Sequence, residues 1–177
     1  MVITDKDRRI IRNWRASDII APVGESTFQS SRDGAILVMC GDCDRSGHMI
    51  DTIQDFQPRL HLKAYNGGPL RLNPKVPIPD NLRCEKQLLQ GLVGSQRLKN
   101  LSGIILLSHW PCGMAGAINY DVRQTLWNTL ETADLLCQQL SLGQSLISTL
   151  FHVDDNSEMS LFEIKRVTQE EVFNSWR

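Results

Sequence analysis

A short apolar segment that ends in a cluster of reactive side chains constrains this chain most strongly. Residues 35–39 are continuously apolar, which is typical of a strand buried on both faces of a sheet rather than on one face. The positions that follow carry side chains that bind metals or move protons: Cys40, Asp42, Cys43, Asp44 and Arg45. The segment therefore predicts a buried strand that delivers these groups to one edge of a sheet.

A second segment repeats this design. Residues 104–107 are apolar, and His109 and Cys112 follow them closely. Because the carboxyl ends of parallel strands meet at the same edge of a sheet, where open α/β folds bind their ligands, we expect the two groups to lie together. The pairs Cys40-x-x-Cys43 and His109-x-x-Cys112 have the close spacing of zinc ligands. The two segments together predict a zinc site.

Length and composition exclude several classes of protein. A chain of 177 residues with 41% hydrophobic and 22% charged residues is typical of one globular domain with a real core. The net charge of -1 gives no general reason to expect a nucleic-acid partner or an anionic membrane. No apolar run approaches the roughly 20 residues of a membrane span, and residues 1–15 lack the apolar core of a signal peptide. We expect a cytoplasmic protein.

The remaining cysteines and histidines lack partners of this kind. Five cysteines, an odd number, fit poorly with a closed disulfide framework in a chain of this length. Cys84 and Cys137 lie in helical patterns and are expected to be plain thiols. His48, His61 and His152 have no neighbouring ligands in the sequence, and we expect surface or structural roles for them.

Strand and helix patterns alternate along the chain. Residues 1–33 are predicted to form an N-terminal helical arm, and residues 34–177 a zinc-binding α/β domain, within a single domain overall. The predicted strands are 35–40, 59–65 and 103–107. The predicted helices are 5–14, 46–56, a helix that Asp80 or Asn81 caps, and 117–140. Segments 146–153 and 161–167 form either a hairpin or two separate strands. This order predicts a mostly parallel central sheet with helices on both faces.

Three motifs resemble those of the β-class carbonic anhydrases. The sequence His-x-x-Cys-Gly-Met at 109–114, preceded by a strand, resembles the second zinc motif of that family. The family's first motif is Cys-x-Asp-x-Arg, and residues 40–42 match its first half. Residues 64–68 resemble a divergent copy of the family's Arg-Asn-Ala-Gly-type turn, without the arginine. The resemblance in element order covers about residues 34–140.

The resemblance implies an α/β fold around a four-stranded parallel core. It implies a zinc ion held by Cys40, His109 and Cys112, and reversible hydration of carbon dioxide to bicarbonate by a zinc-bound hydroxide. In the family the aspartate, here Asp42, accepts a hydrogen bond from that hydroxide, and the arginine holds the aspartate in place. In some members the aspartate itself is the fourth zinc ligand.

The chain departs from the family motif at the arginine. Asp44 stands at the family's arginine position, and Arg45 lies one residue later. A bulge in the loop would let the Arg45 side chain reach Asp42 as the family's arginine does. Cys43 is a further departure, because a third thiolate would close the zinc site as an inert Cys₃His centre. The sequence therefore leaves three candidates for the fourth zinc ligand: water, Asp42 and Cys43.

Other functions remain compatible with the residues. One is a non-catalytic zinc-binding relative whose site is closed, and another is a hydrolase of carbon disulfide or carbonyl sulfide on the same scaffold. A thiol redox protein built on Cys40 and Cys43 is a weaker interpretation, because it gives His109 and Cys112 no role.

The resemblance also implies a homodimer or a higher homo-oligomer, since the family packs its N-terminal arm on a partner. Ile10, Ile11 and Trp14 lie at helical spacing in the arm. We expect them to form an apolar patch that a partner covers.

Overall fold

The computed structural model describes residues 2–31, 33–41, 46–79, 83, 85–155 and 158–175. The strands are β1 (Ile20–Pro22), β2 (Ala35–Cys40), β3 (Leu60–Tyr65), β4 (Gly103–Trp110), β5 (Ile147–Asp155) and β6 (Glu158–Ile164). The α-helices are α1 (Asp5–Ala16), α2 (Ser46–Gln54), α3 (Glu85–Lys99), α4 (Gly113–Ala117), α5 (Val122–Leu140) and α6 (Gln169–Asn174). Short 3₁₀ helices occupy Glu25–Ser31, Gly68–Leu72 and Gln144–Leu146. None of the described helices has both the length and the apolar character of a membrane span.

The strands form a six-stranded sheet in the order β1-β6-β5-β4-β2-β3. Strands β3, β2, β4 and β5 are mutually parallel, whereas β6 runs antiparallel to β5 and β1 antiparallel to β6. This topology confirms the predicted mostly parallel α/β sheet and the four-stranded parallel core. It also decides that the last two strands form a hairpin.

The two central strands are buried along their whole length because helices cover both faces of the sheet. On one face, Ile36 and Val38 of β2 pack with α3 and α5. On the other face, Leu37 and Met39 pack with α2 and with Phe28. The continuous apolar run at 35–39 is therefore explained by burial on both sides.

Helix α1 packs on this chain's own core. Its N-terminus is capped by Thr4, whose side chain forms a capping box with Asp7. Ile10, Ile11 and Trp14 are only 2%, 6% and 0% exposed and lie in one cluster with residues of β5 and β6. The expectation that they form an apolar patch in need of a partner is wrong, since the sheet of the same chain covers them.

Several elements differ from the sequence-based expectation. Strand β4 continues through Trp110, so His109 lies within the strand instead of after it. The helix predicted at 117–140 begins only at Val122, because Asp121 caps α5 in a capping box with Gln124, and the short helix α4 ends at Ala117. Strand β1 and helix α6 carry too little periodicity to be predicted from sequence. The capping residue expected at Asp80 or Asn81 lies outside the described residues.

Candidate metal centre

Three side chains with metal-binding atoms converge at the carboxyl end of the parallel strands. Cys40 ends β2, His109 lies near the end of β4, and Cys112 follows β4. Their candidate ligand atoms lie within 4.8 Å of one another, and all three residues are buried. Strands β2 and β4 are neighbours in parallel register, with Met39 beside Leu107. The pairing of the two strands therefore brings together residues that are far apart in sequence.

Cys112 reaches the cluster because the chain turns sharply after β4. The peptide bond between Trp110 and Pro111 is cis. Cys112 then occupies the position just before α4, with an extended backbone. The turn places Cys112 beside Cys40 and leaves both residues 2% exposed.

A glycine turn after β3 packs against Cys40 through its main chain. The backbone N–H of Gly67 donates a hydrogen bond to Cys40 Sγ, with an N–S distance of 3.1 Å. Gly67 and Gly68 have φ angles of +90° and +50°, which favour glycine. A Cβ atom on Gly68 would lie 2.7 Å from the backbone nitrogen of Cys40. The turn that resembles the family motif is therefore in direct contact with the candidate centre.

The thiols of Cys40 and Cys112 are buried and share a hydrogen bond. The hydrogen bond with Cys40 raises the pKa of Cys112, and burial raises that pKa further. Hydrogen bonds from the backbone at Ala115 and Met114 lower it, but they do not outweigh these two causes. A metal ion bound here would displace the protons of both thiols, because cysteine binds metals as the thiolate.

The donor set fits a zinc ion. The Nε2 atom of His109 is buried and has no hydrogen-bond partner among the described residues. A buried polar atom left without a partner costs free energy, so such an atom calls for a ligand. Two sulfurs and one imidazole nitrogen are a known set of three protein ligands in catalytic zinc sites, which keep a fourth position open.

Some predicted site residues are not described by the structure. Asp42, Cys43 and Arg45 lie outside the described residues, as does Cys84. The choice of the fourth ligand and the role of Arg45 therefore stay predictions. Cys137 is partly buried on α5, and burial is the main cause of its raised pKa.

His152 is a neighbour of the candidate centre that the sequence did not reveal. It is 2% exposed and pairs with His109 across strands β5 and β4, so the two side chains share one face of the sheet. The only local signal was its place in an apolar strand. His48, in contrast, is exposed and its ring nitrogen lies 3.0 Å from Thr52 Oγ1. His61 lies half-buried on β3.

Known proteins match this chain through structure and not through sequence. No protein-family model and no curated protein matches the sequence. A carbonic anhydrase from Streptococcus mutans aligns with a TM-score of 0.48 and 17% identity, over 93% of this chain and 100% of that chain. The β-carbonic anhydrase isoform I of Trichomonas vaginalis aligns with a TM-score of 0.50 and 12% identity, over 90% and 97% of the two chains. The second alignment confirms the fold that the motifs predicted.

Proposed function

Because the chain has the fold of the β-carbonic anhydrases, we propose that it is a zinc-dependent enzyme that reversibly hydrates carbon dioxide to bicarbonate. One observation carries this proposal: Cys40, His109 and Cys112 form a buried group at the carboxyl end of parallel strands. We take these three side chains as the zinc ligands. The sequence motif at 109–114 and the fold support the same assignment.

The side chains would contribute charge, orientation and exclusion of water. Two thiolates and a neutral imidazole balance the charge of a divalent cation and leave one coordination position open. A zinc ion held there would supply a Lewis acid that makes water a nucleophile near neutral pH. The Gly67 N–H, by donating to Cys40 Sγ, would stabilise negative charge on that sulfur and fix its direction.

The proposal also assigns two catalytic roles, which rest on the family resemblance. Asp42 is the carboxylate that accepts the hydrogen bond of the attacking water, and Arg45 orients Asp42. In this assignment Cys43 points away from the metal. A homodimer belongs to the proposal on the same grounds. The cytoplasmic location and the N-terminal arm at 1–33, attached to the domain at 34–177, also belong to it and rest on the sequence pattern.

Metal analysis tests the ligand set. Purified protein should contain about one zinc ion per chain, and Cys40→Ser, His109→Ala and Cys112→Ser should each lose most of it, because a three-ligand site tolerates no missing donor. Cys137→Ser is the matched control, since this thiol lies on α5 away from the group, and it should keep its zinc. Full zinc retention in one of the three variants would remove that residue from the site.

Stopped-flow assays of carbon dioxide hydration test the reaction between about pH 6.5 and about pH 9.5. An active wild type should lose about 10- to 1000-fold in rate in Arg45→Ala, and Cys43→Ser should leave rate and zinc unchanged. A site closed by Cys43 would make the wild type inactive and zinc retention dependent on Cys43. A site closed by Asp42 would give activity only at alkaline pH.

A zinc-loaded wild type that hydrates no carbon dioxide across this range would contradict the proposed reaction. Parallel assays with carbonyl sulfide and carbon disulfide then decide whether the same centre is a hydrolase.

A further inference from the structure

A cavity of about 240 Å³ lies between α1 and the hairpin of β5 and β6. Three arginines of α1 line it: Arg8, Arg12 and Arg15. Their spacing of four and three residues places them on one face of the helix. None of Cys40, His109 and Cys112 lines this cavity, so it is separate from the candidate metal centre.

The three arginines differ in how their charges are compensated. Arg8 Nε donates to Asp155 Oδ2 over 2.7 Å, and its Nη1 donates to Asp5 over 2.9 Å. Arg12 and Arg15 are exposed, and their side chains make no hydrogen bond or ion pair with any described residue. Among the described residues that line the cavity, Asp155 is the one acidic residue, so these residues carry an excess of positive charge at the positions of Arg12 and Arg15.

The floor of the cavity is apolar and preformed. Ile11, Val153 and Phe162 line it and are only 6%, 6% and 4% exposed. The guanidinium of Arg15 lies 5.4 Å from the centroid of the Phe162 ring, a cation–π contact that positions it at the rim. The guanidinium groups at the rim can donate paired hydrogen bonds to a planar anion, and the apolar floor can contact a hydrocarbon group.

We propose that this cavity binds a small organic carboxylate. The carboxylate would accept hydrogen bonds from Arg12 and Arg15, and its apolar body would lie on Ile11, Val153 and Phe162. The volume of about 240 Å³ lies just below the range of about 300–1,000 Å³ typical of drug-sized ligands, which indicates a ligand of few atoms. An inorganic anion would leave the apolar floor uncovered, so it fits less well. This inference does not depend on the proposed hydration activity.

Calorimetric titration of the full-length protein tests the ligand class with three probes. Benzoate carries both the charge and the apolar body, benzamide has the same shape without the charge, and inorganic phosphate has the charge without the body. Benzoate should bind with a dissociation constant in the millimolar range or tighter, and benzamide and phosphate each at least about tenfold more weakly. Equal binding of benzoate and benzamide would overturn the proposal, and so would the absence of benzoate binding; neither result depends on a variant.

Variants test the location. The double variant Arg12→Gln/Arg15→Gln should weaken benzoate binding at least about tenfold, because it removes both donors. Arg9→Gln is the matched control: Arg9 is an exposed arginine of the same helix that does not line the cavity, and its loss should change binding less than about twofold. Benzoate binding that survives in the double variant would place the ligand elsewhere, the metal centre included, and would overturn the proposal. Zinc content should be the same in all these proteins.

Discussion

Strands β2 and β4 differ from the edge strand β3, which pairs with β2, although all three end at the same edge of the sheet. Every residue of β2 and β4 is buried, whereas β3 is an edge strand on which Leu62 is 46% exposed. The central strands contribute the side chains of Cys40 and His109 to the candidate centre. Strand β3 is followed by a turn that contributes the backbone N–H of Gly67.

The difference shows two ways in which a sheet edge builds a site. A strand buried on both faces holds a donor side chain in one position, because its neighbours are packed on every side. An edge strand lacks that support, so the turn after β3 approaches β2 by its main chain. This approach requires the missing Cβ atom of Gly68, whereas a Cβ atom on Gly67 would meet the side chain of Met114 on α4.

Leucine truncation should separate the central strand from the edge strand most clearly. Leu37→Ala on β2 should lower the free energy of unfolding by about 2–5 kcal/mol, because Leu37 is fully buried and its truncation leaves a cavity. Leu62→Ala on β3 should change it by less than about 0.5 kcal/mol, as for an exposed site. Chemical denaturation measures both values. Similar losses in the two variants would contradict the contrast between these strands.

The glycine turn should tolerate no side chain at its contact with β2. Gly68→Ala should lower the free energy of unfolding by about 2–4 kcal/mol, from a left-handed backbone and a Cβ placed 2.7 Å from the Cys40 nitrogen. It should also reduce zinc retention, since Cys40 must shift. Gly91→Ala on α3 is the control, because no atom lies within 4 Å of its Cβ position; thermal unfolding should show slight stabilisation there. Equal zinc retention in both variants would show that zinc binding does not depend on the glycine turn.

The polar contact that anchors the turn to α5 should have a smaller effect. Asn73 follows the 3₁₀ helix Gly68–Leu72 that continues from the turn, and its Nδ2 donates to Asn128 Oδ1 over 3.0 Å; both residues are buried. Asn128→Ala should therefore lower the free energy of unfolding by about 1–2 kcal/mol. Asn174→Ala, which removes an exposed amide, should stay within about 0.5 kcal/mol in the same denaturation assay. A neutral Asn128→Ala would show that the turn does not need this anchor.

The edge strand should show a weak dependence of stability on pH. Burial, followed by the charges of Lys63 and Lys99, lowers the pKa of His61 from its ordinary value of 6.5. Between the folded and unfolded pKa values the unfolded chain binds more protons, so stability should fall as the pH drops through 6.5 and level off below the folded pKa. The difference in unfolding free energy between wild type and His61→Gln should follow this curve. A difference that is constant between about pH 7.5 and about pH 5 would contradict the lowered pKa.

The buried strands β2 and β4 and the three donors of the candidate site could be predicted from local sequence patterns. The run 35–39 is apolar because both of its faces are covered. Its pattern therefore predicts burial even when the elements that cover it are not known. The spacing of His109 and Cys112 likewise predicts metal binding from residues that are close together in the sequence. The alternation of strands and helices then leaves few topologies other than a mostly parallel sheet.

The contacts between distant segments could not be predicted in this way and are seen only in the folded chain. The sequence does not reveal that α1 covers β5 and β6, that His152 lies beside His109, or that Gly67 donates to Cys40. The cavity lined by Arg12 and Arg15 depends in the same way on α1 meeting the final hairpin. Each of these contacts joins residues far apart in the chain, and local periodicity carries no information about such pairs. They are set by the packing of whole elements against one core, which is a property of the folded chain.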